Sequence, residues 1–137
     1  MQTVTIYTDG GARGNPGPAA LGVVMYDAEQ QELGRLSEFL GEATNNVAEY
    51  TAIVRALEYT ATLVDGSQTC QVTLNLDSEL AQRQLTGQYK VKDQTLKGLY
   101  EQVKALEAEF ASVDYVHVRR EANKVADALV NEALDAL

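Results

Sequence analysis

The chain has no tryptophan, two phenylalanines, two prolines, one cysteine and one histidine in 137 residues. Cys70 alone cannot form an internal disulfide, which suits a reducing compartment. One cysteine and one histidine are too few for a zinc site built from the usual nitrogen and sulfur ligands. No apolar run is long enough to span a membrane. The opening residues, Met1-Gln2-Thr3-Val4, carry neither a basic region nor an apolar core, so no secretory leader is expected. A cytoplasmic protein with no membrane partner is the resulting expectation. Positive charge is also scarce: 11 Lys and Arg face 20 Asp and Glu, a net charge of −9. That balance goes against a nucleic-acid binder, whose footprint is usually basic, and its plain reading is solubility. The charge is unevenly spread, however. Arg119, Arg120 and Lys124 cluster just before Asp127, so a local positive patch can sit beside acids.

What is present is a globular composition, with 45% hydrophobic residues and no repeat, low-complexity tract or linker. One domain over 1–137 is expected. Residues 3–9 alternate, with Val4 and Ile6 on one face and Thr5, Tyr7 and Asp9 on the other, as in a strand. Gly10 to Pro18 holds four glycines and two prolines and reads as a loop. Runs at 20–27 and 33–40 read as a hairpin. Tyr50, Ile53, Val54, Leu57 and Val64 recur at helical spacing over 46–64, with Asn46 as N-cap and Glu49 three residues later. Residues 71–76 alternate again, and Asp77 caps a helix starting at Ser78. A further helix covers roughly 93–110, a last strand 113–119, and a last helix 124–136 capped by Asn123. The order βββαβααβα predicts an α/β fold with a five-stranded mixed sheet, antiparallel first and parallel later.

Four carboxylates stand in particular settings: Asp9 before Gly10-Gly11, Glu49 in Asn45-Asn46-Val47-Ala48-Glu49, Asp77 before Ser78, and Asp127 after Val125-Ala126. Each has an ordinary structural reading. Asp9 can form an Asx turn, Glu49 can complete a capping box, Asp77 can cap a helix, and Asp127 can favour a helix dipole. As a set they say more. Asp9 and Asp77 end two strands that this order makes neighbours, and Glu49 shares a helical face with Ile53 and Ala56. Four acids that converge form a site for hard divalent cations.

The chain resembles the type 1 ribonuclease H family over nearly its whole length. The matching stretches are Thr8-Asp9-Gly10-Gly11 with Gly14-Asn15-Pro16-Gly17-Pro18, Thr44-Asn45-Asn46 with Ala48-Glu49, Asp77-Ser78, and Arg120-x-x-Asn123-x-x-Ala126-Asp127. Each is weak alone; four in order on the expected elements are specific. The resemblance implies a ribonuclease-H-like fold. It also implies an endoribonuclease that hydrolyses the RNA strand of RNA–DNA hybrids with two Mg2+ ions, leaving 5′-phosphate and 3′-hydroxyl ends. Mn2+ is a substitute. By that analogy Asp9 bridges both ions, Asp127 helps hold the ion that activates water, and Glu49 and Asp77 help hold the second. Mutual repulsion among the four acids would be relieved by such ions.

The resemblance further implies that backbone at Gly10, Gly11 and onward to Gly14 approaches RNA 2′-hydroxyls, which distinguish RNA from DNA. Asn15, Asn45 and Asn46 would contact the minor groove, although capping is an equal competitor for the asparagines. Thr44 would bind a DNA-strand phosphate beside a helix N-terminus. An auxiliary residue often precedes the last aspartate. Arg120 is favoured for it, with His117 and Arg119 as the other candidates; Arg119 is also counted with the substrate-binding residues. The segment Arg83-Gln84-Leu85-Thr86-Gly87-Gln88-Tyr89-Lys90-Val91-Lys92 is too short and too weakly basic for the protrusion of many bacterial relatives. A monomer is expected, and cleavage of double-stranded RNA stays open. Two rivals remain: a hybrid-binding module without turnover, and a resolvase or integrase core of the same superfold.

Overall fold

The computed structural model describes residues 2–137; Met1, where the leader reading begins, lies outside them. Five strands form one sheet: β1 (Gln2–Ala12), β2 (Gly17–Tyr26), β3 (Glu32–Ala43), β4 (Cys70–Leu76) and β5 (Ser112–His117). Their spatial order is β3-β2-β1-β4-β5. β1–β2 and β2–β3 are antiparallel, while β1–β4 and β4–β5 are parallel. Four α-helices complete the fold: α1 (Asn45–Leu63), α2 (Glu79–Leu85), α3 (Gln94–Glu107) and α4 (Lys124–Asp135). The expected mixed sheet and element order are therefore what the chain adopts.

The two sheet faces are covered differently. α1 lies over β1 on one face, where Ile6, Leu21, Ile53, Leu57 and Leu74 are fully buried in the main core. α4 covers the other face through a smaller cluster, Ala20 with Val130, Ala133 and Leu134. Both helices approach through glycine. A Cβ on Gly10 would lie 2.3 Å from the Ala48 carbonyl carbon, and one on Gly22 would lie 2.2 Å from the Ala126 carbonyl oxygen. Strand alternation sends these two positions to opposite faces, because Gly10 pairs with Leu21 and not with Gly22.

Several boundaries differ from the sequence reading. Gly10, Gly11 and Ala12 belong to β1 and pair with Leu21, Ala20 and Ala19. Gly10 serves close approach and not a turn, Gly14 holds a positive φ in the turn itself, and the loop proper shrinks to residues 13–16. Thr44, not Asn46, caps α1: its Oγ1 accepts from Val47 N at 3.2 Å. Ser78, not Asp77, caps α2 by accepting from Ala81 N at 3.2 Å. In both cases a hydroxyl sits at the N-cap position, and this leaves Glu49 and Asp77 free of capping duty. Asp93 caps α3 by accepting from Leu96 N at 3.0 Å. Asp93→Ala is expected to lower unfolding free energy by about 1 kcal/mol. Urea denaturation checks this.

Candidate active site

Asp9 and Asp77 end up side by side because β1 and β4 are adjacent and parallel, with Thr8 opposite Leu76. The order of strands branches at this pair: β2 and β3 lie to one side, β5 to the other. Open α/β sheets place ligands at such a switch point, outside the carboxyl ends of the strands. A cavity of about 660 Å³ lies there, and Asp9, Glu49, Asp77 and Asp127 all line it.

Asp9 is buried, and its Oδ1 accepts from Gly10 N at 3.0 Å. Glu49 reaches the same place from α1, brought in by the contact that the bare Gly10 permits. Asp77 is half-buried. One carboxylate oxygen from each of Asp9, Glu49 and Asp77 lies within 4.8 Å of the others. Asp127, in the first turn of α4, is more exposed and stands 3.9 Å from the Arg120 guanidinium. The four expected acids thus form a tight group of three with a fourth flanking it.

The electrostatics follow from this crowding. Burial first, then the charge of Asp77 and a further push from Asp127, lift the Asp9 carboxyl from 3.8 to about 7, against a hydrogen bond with Glu49 that lowers it. Burial, followed by the charges of Asp9 and Asp77, pushes Glu49 well above the ordinary carboxylate range. Glu49 Oε2 is buried without a hydrogen-bond partner. A buried carboxylate oxygen with no donor, two further carboxylates within reach, and no basic side chain among the three make a donor set that fits a hard divalent cation.

The sign of the pH effect follows. The folded chain holds the Asp9 proton more tightly than the unfolded chain. Its contribution to stability is complete below 3.8 and is lost as pH rises through about 7. The full span is worth about 4 kcal/mol at most. Without divalent ions, wild type is therefore expected to lose stability relative to Asp9→Asn between these limits. Thermal denaturation in chelator at several pH values measures the difference, and equal pH slopes for the two proteins would refute it.

The remaining sequence candidates divide. Gly10, Gly11, Asn45, His117, Arg119 and Arg120 line the cavity, whereas Asn15, Thr44 and Asn46 lie outside its wall. Asn15 Oδ1 accepts from Asn45 N at 3.0 Å, and Asn45 Oδ1 accepts from Ala12 N at 2.8 Å. These two asparagines pin the β1–β2 loop to the start of α1. Thr44 Oγ1 accepts from Val47 N, which leaves its O–H free to donate. His117 is exposed at the end of β5.

Asn123 does not cap α4 through its side chain. Instead its Nδ2 donates to Thr8 O at 2.8 Å, tying the start of α4 to the residue before Asp9. With Ser37 Oγ donating to Leu129 O at 2.6 Å, this bond fixes Asp127 relative to Asp9. Sequence reasoning missed three polar lining residues, Arg13, Glu121 and Asn131. Asn131 sits one helical turn beyond Asp127 and donates to its Oδ2 at 3.5 Å, a spacing that was readable. Arg13 carried no signal beyond its place in the glycine loop.

Comparison with known proteins agrees with this geometry. A family described as "Reverse transcriptase-like" matches residues 7–133. A ribonuclease H of Halorhodospira halophila is 33% identical over 98% of this chain and 94% of its own length. The bifunctional protein Rv2228c of Mycobacterium tuberculosis is 40% identical over 97% of this chain, which spans only 36% of that protein. The structure of LC11-RNase H1 in complex with an RNA/DNA hybrid is 47% identical, with a TM-score of 0.92 and 97% of each chain covered. An acid cluster at the β1–β4 switch point, the matching order of elements and a likeness that runs almost end to end place this chain in the type 1 ribonuclease H family.

Proposed function

We propose that residues 1–137 form a single catalytic domain, an endoribonuclease that hydrolyses the RNA strand of RNA–DNA hybrids to 5′-phosphate and 3′-hydroxyl ends. The observation that carries this reading is the group of three carboxylates at the β1–β4 switch point, with Glu49 Oε2 lacking any donor. The likeness to an RNase H1 solved with a hybrid supports the substrate class. Asp9, Glu49, Asp77 and Asp127 would hold two Mg2+ ions, with Mn2+ as substitute. Such cations supply an activated water and charge stabilisation at the phosphorus when bound.

The chain's own residues orient and bind. β1, β4 and α1 are rigid elements, so the three clustered carboxylates are held in place before substrate arrives. Gly11 offers half-buried backbone on the cavity wall, with no side chain to keep a 2′-hydroxyl away. Gly10 and Asn45 share that wall; Asn15 and Asn46 contact the minor groove from beyond it, and the Thr44 O–H donates to a DNA-strand phosphate. Arg119 and Arg120 supply positive charge on the β5 side of the cavity. Arg120 is the auxiliary residue. A guanidinium offers only hydrogen-bond donors, so Arg120 acts on phosphate charge and not by accepting a proton. His117, further back at the strand end, is secondary. Arg120→Ala is expected to slow cleavage about tenfold, a loss of roughly 1.4 kcal/mol, and His117→Ala less. Single-turnover rates compare the two.

The protein is proposed to act in the cytoplasm and as a monomer, the latter because all four acids come from one chain. An end-labelled hybrid, incubated with and without Mg2+, tests the reading. Metal-dependent internal cuts in the RNA strand alone are expected. Binding without cutting in Mg2+ or Mn2+ would leave a hybrid-binding module in place of an enzyme. A double-stranded RNA of the same sequence, run in parallel, tests the second substrate.

A further inference from the structure

Arg13 is a cavity-lining cation to which the reading above gives no role. It opens the loop between β1 and β2, four residues after Asp9. The loop is held firmly: Arg13 N donates to Pro18 O at 2.8 Å, and the neighbouring Ala12 N donates to Asn45 Oδ1 at 2.8 Å. Only the side chain is therefore free to move. It reaches Asp135 in the last turn of α4, with Nη2 to Oδ1 at 2.6 Å.

That partner is a poor fit for its own helix. A carboxylate at a helix C-terminus meets the negative end of the dipole, and the last turn of α4 holds no basic residue to offset it. Both side chains of the pair are open to solvent, at 50% and 68% relative exposure. Exposed pairs of this kind are weak and readily exchanged. The charge around the cavity is ordered. Its floor is acidic, Arg119 and Arg120 lie on the β5 side, and Arg13 lies on the β2 side. β5 is two strands from β1, so the two cationic rims are separated by roughly 10 Å or more. A polyanionic strand crossing the acidic floor would meet one cationic rim on each side. A guanidinium binds a carboxylate and a phosphate through the same planar fork.

We infer that Arg13 is a phosphodiester-binding residue of this cavity and that Asp135 occupies its guanidinium when no nucleic acid is bound, so that substrate displaces Asp135. This rests on the proposed reading of the cavity as a nucleic-acid site. Asp135 then acts as an internal competitor that weakens binding, and Arg13 supplies one phosphate contact.

The test measures dissociation constants for a fluorescent RNA–DNA hybrid over a salt series, in the Asp9→Asn background so that the duplex stays intact. Arg13→Ala is expected to weaken binding about tenfold at low salt and to reduce the slope of log K against log salt by about 0.9. Asp135→Asn is expected to tighten binding about threefold, and to do nothing once Arg13 is already alanine. Neutral methylphosphonate links placed in one strand at a time identify the strand, because the Arg13 effect vanishes when its phosphate is neutral. Three results overturn the inference: Asp135→Asn tightening binding equally without Arg13, an Arg13 effect that no neutral link removes, or an unchanged affinity and slope for Arg13→Ala with a lower melting temperature. The last would make the pair a brace for the end of α4. If no form binds hybrid at all, the reading of the cavity itself fails, a result distinct from unaltered binding.

Discussion

Asp9→Asn is expected to abolish cleavage while making the protein more stable in the absence of divalent ions. Asp9 is buried, its carboxyl is raised to about 7, and burial is the largest cause. Removing its charge removes a desolvation penalty and relieves repulsion with Glu49 and Asp77. The amide keeps the shape and can still accept from Gly10 N. Cleavage should fall about 10³-fold or more, because a cation ligand worth roughly 4 kcal/mol to the transition state is lost. Hybrid affinity should change far less. Three measurements on one variant therefore move differently: rate down sharply, melting temperature in chelator at pH 8 up, and affinity nearly constant. Cleavage by Asp9→Asn at a rate near that of wild type would remove Asp9 from the centre of the site. A lower melting temperature in chelator would contradict the electrostatic account.

The second large effect is structural. Gly10→Ala is expected to cost about 3 kcal/mol or more, the upper end for overpacking. The added Cβ would lie 2.3 to 2.5 Å from the Ala48 carbonyl carbon and oxygen and from Glu49 N, all of them backbone atoms. No side-chain rotation relieves that contact, so α1 must move away from β1. Glu49 rides on the atoms that move, which couples the loss of stability to a loss of cleavage. Gly11→Ala is the control. Its Cβ would meet only Val130 Cγ1, at 3.9 Å, an ordinary contact. Urea denaturation of the two variants should separate them clearly. If Gly10→Ala unfolds within about 1 kcal/mol of wild type, the close approach of α1 to β1 is not what limits this position.

The order of elements was legible because each rests on a local signal. Alternation over residues 3–9 and 71–76, and helical spacing through Tyr50, Ile53 and Leu57, report which face of each element is buried. Boundaries were less legible where a residue type has two uses. Glycine marks both turns and close approaches, so Gly10 to Ala12 read as loop although it is strand. Asparagine both caps helices and bridges backbones, so Asn46 and Asn123 read as caps, although Thr44 caps α1 and the Asn123 side chain bonds to Thr8 O. The resemblance to a known family carried the candidate site further than residue chemistry could. It gave the four acids, already grouped by their settings, shared roles in holding two ions, and three of them have carboxylate oxygens within 4.8 Å of one another.

The sequence by itself determined the mixed sheet and the parallel placement of Asp9 beside Asp77, which follow from periodicity and from the handedness of crossovers, while the four acids stood out by their local settings. Only the tertiary structure decided which carboxylates crowd together, how far their protons are held, and which cation answers which acid. Those properties depend on contacts between residues far apart in the chain. Gly10 admits the Ala48 backbone, Asn123 reaches Thr8 across 115 positions, and Arg13 meets Asp135 across 122. No local pattern encodes such distances, because burial and charge are set by what the rest of the chain brings alongside.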